Sequence, residues 1–336
     1  MQELVVMGSD KRLSLRGQNV LIKNKNGVID QVIALDRLES ISVYGNSQLS
    51  TQLIKAIANR QINLHYFSQA GVYLSSLMSA KHFNYQDQVD QFTSSLDSSF
   101  SLDLSKRIIQ SKVQNQKMLL QAYDEERVIL ADELAKFDDF IQSIQNAESL
   151  ASLRGFEGKA ATLYYFYLKW LLPHDIEFQR RTKHPPKDPF SSLLSLGYSL
   201  LYSYILGQIY KYGLNPGIAM MHQNKRKHAC LASDLMEEWR PIIVDDTAVR
   251  LVIHQVILPE HFEKDGQGRV RLEKNCRRDY LNQLNNRMFE SHDYFRDKHR
   301  YSARYAINLQ LESLKRAFTS RDVQNYRTLV IGELDD

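Results

Sequence analysis

Three carboxylates and one histidine carry the chemical interest of this chain: Glu157, His222, Asp234 and Glu237. Glu157 lies in Arg154-Gly155-Phe156-Glu157-Gly158, just before an aromatic-rich helical pattern. An acid in the first turn of a helix gains about 0.3–1 kcal/mol from the helix dipole, and that alone would account for a glutamate. It does not account for the flanking glycines, which let a bulky ligand approach the backbone. His222 ends the apolar run Ile218-Ala219-Met220-Met221 and opens onto Gln223-Asn224-Lys225-Arg226-Lys227. A hydrogen-bonded histidine at an element boundary is the ordinary explanation; the basic run beside it suits an anionic substrate. Asp234 and Glu237 stand three apart in Asp234-Leu235-Met236-Glu237-Glu238-Trp239-Arg240-Pro241, on one face of a short helix expected to stop at the proline. One reading is a capping box, with Asp234 as the cap and Glu237 reaching back. The other is a hard, mostly oxygen site of the kind Mg²⁺ or Mn²⁺ prefers, an imidazole nearby tilting it toward Mn²⁺ over Ca²⁺. Cys230 packs as a small hydrophobe unless a base stands beside it.

Other chemistries lack their signatures. No GxxxxGK[ST], GxGxxG or HExxH occurs, which argues against P-loop, dinucleotide-binding and zincin readings. Two cysteines without CxxC spacing make neither a disulfide framework nor a thiolate zinc site. With 43% hydrophobic and 24% charged residues, the 336-residue chain reads as a soluble protein of about two domains. No window approaches the ~18 apolar residues of a membrane span, and the first residues do not read as a secretory signal, so a cytoplasmic location without membrane is expected. The formal charge of +4 is only mildly basic, but the cations cluster around Arg180-Arg181-Thr182-Lys183, around Lys225-Arg226-Lys227 and between Arg296 and Arg304.

The elements that must position these residues fall into two regions. Up to about residue 85 the chain reads as strands and turns, with Asn26-Gly27 a hairpin signal and one helix marked by Leu49, Leu53, Ile54, Ile57 and Ala58. A polar stretch, residues 86–100, suggests a linker. Beyond it helical patterns dominate: Leu104 to Leu120, Val128 to Ile141, Ala160 to Leu172, and the long apolar run Ser191 to Tyr212, read as a core helix. His184-Pro185-Pro186 and Pro189 make a loop. The fold class expected is α+β: a small N-terminal β-rich domain (1–85), sandwich-like with one helix, then an all-α catalytic domain (101–336).

Several segments, in order, resemble a known family, the CRISPR-associated integrases of spacer acquisition (Cas1). Lys112-Val113-Gln114-Asn115-Gln116 resembles its K-x-x-N-Q helix, and Arg154 to Gly158 its R-G-x-E-G motif. Arg181 to Pro189, followed by Leu193 to Tyr198, resembles its R-x-x-P-P-x-D-P loop and helix. Gly213 to His222 and then Leu231 to Pro241 resemble its G-L-x-P…H…D-L-x-E-x-x-R-P block. Cys230, Ser191 and Met221 depart from the usual residues without touching a ligand position.

The resemblance implies that Glu157, His222 and Glu237 hold Mg²⁺ or Mn²⁺ as the catalytic set, with Asp234 an acidic neighbour. It implies a transesterification in which a 3′-hydroxyl of a short prespacer duplex attacks a phosphodiester of the repeat array. Arg180, Arg181, Lys183, Lys225 and Arg226 are then expected on the phosphates of double-stranded DNA. The partners implied are a second copy of the chain, joined through the β-rich domains, and the small CRISPR adaptation protein, Cas2. Two other classes use the same residues differently: a nuclease that cuts branched DNA without joining it, and a non-catalytic DNA-binding scaffold.

Overall fold

The computed structural model describes residues 2–8, 10–69, 73–77, 85–124, 129–183, 185–222 and 228–331. Strands β1 (Gln2–Met7), β2 (Lys11–Arg16), β3 (Asn19–Lys23), β4 (Ile29–Ala34), β5 (Leu38–Tyr44), β6 (Ser47–Leu49), β7 (Asn63–Phe67) and β8 (Tyr73–Leu77) make two four-stranded sheets. Their orders are β1-β5-β7-β8 and β4-β3-β2-β6. The expected hairpin joins β3 to β4, with Gly27 at a φ of +80° that glycine adopts without steric cost. Helix α1 (Thr51–Asn59), capped by Ser50, packs Leu53 and Ile57 into the single core between the sheets. Alternation along the strands sends Val20 and Ile22 into that core, and apolar Ile29 and Val32 remain exposed on the edge strand β4.

The second region holds nine helices among the described residues. They are α2 (Tyr85–Leu96), α3 (Ser98–Tyr123), α4 (Ala131–Gln145), α5 (Leu150–Leu171), α6 (Pro189–Lys211), α7 (Cys230–Trp239), α8 (Asp246–Ile253), α9 (Lys274–Arg287) and α10 (Ala303–Ser320). It is not purely helical, since β9 (Phe262–Lys264) pairs with β10 (Val270–Leu272) and β11 (Ser291–His292) with β12 (Tyr301–Ser302). Helix α6 is apolar on nearly every face and is buried as such a helix must be, with Asp188 as its cap and Pro189 in its first turn. It also receives the N-terminal sheet: Ser203 Oγ accepts from Tyr73 N at 2.9 Å, and the Tyr73 and Tyr210 rings stack at 5.9 Å. No helix among the described residues is long and apolar enough to cross a membrane.

Three local expectations are corrected. The polar stretch read as a linker is α2 followed directly by the Asp97 cap of α3. Its polarity hid a buried face, where Gln91 donates to the carbonyls of Asn215 and Ile218 at 2.8 Å and accepts from Asn215 N at 2.8 Å. Helix α5 begins at Leu150, ten residues ahead of Ala160 where the aromatic pattern starts, at a Ser149–Ser152 capping box, so Glu157 sits in its interior and the dipole explanation fails. Pro241 does not end the helix of Asp234. The chain continues through a π-helical turn, Arg240–Asp245, directly into α8. A proline ring removes one ladder hydrogen bond, and the wider π turn absorbs that loss; such turns cluster at functional sites.

Gly197 is where α6 meets this turn, and a Cβ there would overlap Val244 and come within 2.9 Å of the Tyr280 hydroxyl. Gly197→Ala is therefore expected to destabilise the chain by about 1–3 kcal/mol through overpacking. Urea or thermal melts showing no loss would mean that the α6–π-turn contact is looser than described.

Candidate active site

Helices α3, α5, α7 and the π turn converge on a cleft of about 810 Å³, lined by Lys112, Gln116, Arg154, Glu157, His222, Glu237, Arg240 and Asp245 among others. A smaller apolar crevice lined by Met7, Tyr44, Leu201 and Met288, where the two regions meet, holds none of these carboxylates or His222.

Lys112 is the central charge. Its Nζ lies 2.6 Å from Glu157 Oε1 on α5 and 2.6 Å from Glu237 Oε2 on α7. The first contact is a hydrogen bond. The second is an equally short ion pair. Arg240 Nη1 approaches the other oxygen of Glu237 at 3.0 Å. Glu237 is 2% exposed. Burial acts to raise its pKa, but Arg240 and Lys112 outweigh burial and lower it to about 2. The same balance raises Lys112: burial opposes the ammonium, and the Glu237 and Glu157 charges more than compensate.

Asp234 faces the other way. Its fully buried carboxylate accepts from the backbone N–H groups of Met220, Met221 and His222 at 2.9, 2.9 and 3.1 Å. The capping-box reading fails, because Asp234 lies in the middle of α7 and binds an adjacent loop rather than its own helix. Its Oδ1 also stands 2.7 Å from His222 Nδ1. A carboxylate is acceptor-only, so Nδ1 carries a proton, and in the neutral imidazole the lone pair is then on Nε2. This is the carboxylate–histidine arrangement that orients a metal-ligating imidazole. Arg154 donates to the Met221 carbonyl and ties the same loop to α5.

Glu157, His222 and Glu237 thus line one cleft, while Asp234 positions His222 from behind. Among the described residues no group of three or more His, Cys, Asp or Glu side chains stands in metal-binding geometry. The donor set still fits a hard cation: two carboxylates from different helices are already drawn around one positive charge, the Lys112 ammonium. A Cβ on Gly155 or Gly158 would meet nothing within 4 Å, so the glycines beside Glu157 leave open space. Cys230 is buried and packs in the hydrophobic core.

The basic residues divide. Arg180 is exposed, and Lys183 lies exposed at the cleft rim, its pKa lowered by partial desolvation and then by the Arg240 and Arg181 charges. Arg181 is occupied with structure: it donates to the carbonyls of Thr182 and Ser191, reaches Ser195 Oγ at 2.9 Å and lies over the Tyr198 ring. Lys225 and Arg226 lie outside the described residues. Sequence reasoning assigned no role to Lys112, although it quoted the motif holding it, and it missed the polar wall formed by Tyr164, Tyr198 and Asp245. Those three carry no recognisable spacing and meet only because the π turn aims Asp245 at α5 and α6. There Asp245 accepts from Tyr164 at 2.8 Å and from Tyr198 at 2.6 Å.

The sequence profile described as CRISPR associated protein Cas1 matches residues 4–286. The CRISPR-associated endonuclease Cas1 of Mycobacterium tuberculosis H37Rv is 34% identical over 319 residues, 94% of each chain. Its counterpart from Methanospirillum hungatei is 29% identical, covering 91% of this chain and 85% of the relative. Among solved structures, a chain of a partial Cas6-RT-Cas1–Cas2 complex superposes with a TM-score of 0.78 at 28% identity and 99% coverage of both chains. A casposase bound to integration product shares the fold at a TM-score of 0.78 and 20% identity, covering 100% of this chain and 96% of that one. The fold and cleft define a two-region α+β protein with a carboxylate–histidine site. The chain belongs to the Cas1 family.

Burial raises the pKa of Asp245 from 3.8 to about 6, against the two tyrosine hydrogen bonds that lower it. The folded state therefore holds a proton that the unfolded state releases, and wild-type stability relative to Asp245→Asn should fall as pH rises from 3.8 to about 6. The full change is roughly 3 kcal/mol, at 1.36 kcal/mol per unit. Paired denaturant melts between these pH values that run parallel would show that Asp245 titrates normally.

Proposed function

We propose that this Cas1-family chain is a metal-dependent DNA endonuclease and integrase, which inserts short prespacer duplexes into a CRISPR repeat array by attack of a 3′-hydroxyl. The observation that carries the reading is the convergence of Glu157, Glu237 and an Asp234-oriented His222 on one cleft whose rim is basic. Glu157, Glu237 and His222 Nε2 would hold Mg²⁺ or Mn²⁺, which supplies positive charge to the reacting phosphate and hydroxyl oxygens when bound.

The chain's own residues do the rest. Asp234 holds His222 in one tautomer and one orientation without entering the cleft. Lys183 and Arg180 meet backbone phosphates, and a lysine with a lowered pKa gains most from an anionic partner. Arg181 supports the same loop through its carbonyl contacts, so its contribution to DNA affinity is indirect. Such contacts carry no sequence information, so the insertion site is chosen by DNA shape or by partners.

The partners proposed are double-stranded DNA, a second copy of the chain and Cas2, acting in the cytoplasm where the array resides. For the homodimer, β4 offers exposed Ile29 and Val32, with Val28 just before it, at the edge of the β4-β3-β2-β6 sheet. Light scattering at micromolar concentration should give a dimer that Ile29→Lys with Val32→Lys converts to monomer. A monomeric wild type would remove β4 as the joint.

The test of the chemistry is strand transfer with Mn²⁺, a labelled duplex bearing a free 3′-hydroxyl and a supercoiled repeat plasmid. Joined product is expected from the wild type, falling more than about a hundredfold in Glu157→Ala, the range reached even by loss of groups supporting a metal ligand. Cleavage without joining would favour the branched-DNA nuclease. Equal activity of wild type and variant would make Glu157 structural and leave a scaffold.

A further inference from the structure

The cleft contains a cation of its own, and one side-chain oxygen beside it accepts no hydrogen bond. Lys112 is 5% exposed and holds Glu157 and Glu237 together across two helices. Gln116 is one turn further along α3, on the same face, and lines the same cleft. It is 3% exposed, and its Oε1 accepts no hydrogen bond. A buried amide oxygen without a donor is costly in a single state and uncommon. It becomes intelligible if a donor reaches it in a second state.

We propose that Lys112 is a resident counter-ion: its ammonium occupies the divalent-ion position between Glu157 and Glu237 in the unloaded chain and withdraws to Gln116 Oε1 when the ion binds. This rests on the reading of the two glutamates as the ligand pair. Glu237 is buried and Glu157 half-buried; facing one cleft without a cation, the two carboxylates would repel each other and the buried one would lose its solvation uncompensated. The lysine satisfies them until the ion arrives, and the helices α3, α5 and α7 keep their places meanwhile. Arg240 remains on the far oxygen of Glu237 in both states. Neighbours at i and i+4 on a helix lie within reach of a lysine chain, so the withdrawal needs only side-chain rotation. Competition of this kind lowers apparent ion affinity by the fraction of molecules with the site open. It also selects for charge, because an incoming monovalent ion brings no more charge than the ammonium it must displace.

The experiment is Mn²⁺ titration of the full chain, followed by calorimetry and by the Mn²⁺ paramagnetic resonance signal, with no DNA present. Lys112→Met should bind Mn²⁺ at least about tenfold more tightly than wild type, and Gln116→Leu about threefold more weakly, since the lysine then has no second acceptor. Glu157→Gln serves as the control for the site itself. If Glu157→Gln and wild type titrate alike, the ion is not held there, and both the functional reading and this inference fall. If Glu157→Gln loses binding but Lys112→Met binds no more tightly than wild type, the ligand pair stands and the counter-ion role is overturned. Should Lys112→Met fail to fold, Gln116→Leu decides: it removes the amide oxygen that accepts no hydrogen bond, and unchanged Mn²⁺ affinity overturns the proposal.

Discussion

A single ammonium group joins the three helices that make the cleft. Lys112 projects from α3, Glu157 from the middle of α5 and Glu237 from α7; Lys112 and Glu237 are buried and Glu157 half-buried, and neither buried charge could be held at this depth alone. Removing one partner of such an arrangement leaves an uncompensated charge, which costs about 3–5 kcal/mol and far exceeds the worth of a surface pair. The constraint therefore runs from chemistry to fold: α3 must stay within ammonium reach of two other helices, and their apolar packing is arranged to keep it there. Arg240 adds a second cation on Glu237, so the carboxylate stays ionised and ready to act as a ligand.

The far side of the same helices is fastened by the end of the described chain. Asn115, three residues after Lys112, donates to the Leu329 carbonyl at 3.0 Å, and its side-chain oxygen accepts from Ile331 N. Glu238, next to Glu237, accepts from Leu329 N at 2.8 Å, from Gln310 at 3.0 Å and from the Tyr326 hydroxyl. Burial raises the Glu238 pKa to about 7, although these donors pull it down. Adjacent glutamates on one helix thus have opposite environments. Glu237 meets cations at the cleft and stays charged; Glu238 meets neutral donors in the core and holds its proton more readily. The segment from Tyr326 to Ile331 acts as a strap that fixes the angle between α3 and α7, and so the distance between the lysine and its second carboxylate.

Much of this was legible in the sequence where the physics is local. Period-two and period-3.6 patterns marked the sheets, α1 and the buried α6, and the Asn26-Gly27 turn needs only a positive φ. The four chemical residues could be named because their neighbours were odd: glycines beside an acid, a histidine leading into cations, two acids at helical spacing. Errors arose where polar residues are buried. Gln91 and Ser94 form the inner face of α2, and a pattern that equates polarity with solvent reads them as linker. Pro241 reads as a stop because the wider π turn that accommodates it packs against Gly197 of α6, a contact no local pattern reveals.

The roles of the basic residues show the same division between what a sequence states and what a fold decides. Arg180, Arg181 and Lys183 look equivalent in a cluster, but only the fold shows that Arg181 is held by Ser191, Ser195 and Tyr198. A guanidinium has a planar fork of donors and a face that stacks on rings, so it suits a loop anchor in a way an ammonium does not. The anchored loop is the one Asp188 and Thr182 also close, at 3.0 Å, and it leads directly into α6. Lys183 thereby gains a fixed position at the rim, where partial desolvation first and then the Arg240 and Arg181 charges lower its pKa. Cations placed this way set the field at the cleft mouth, whereas Lys112 sets it at the floor. A phosphate in such a cleft would meet the two carboxylates, which repel it unless a cation stands between them. The positive charge at the floor is therefore a requirement for any phosphate chemistry in this cleft, and Lys112 shows the fold already built around it.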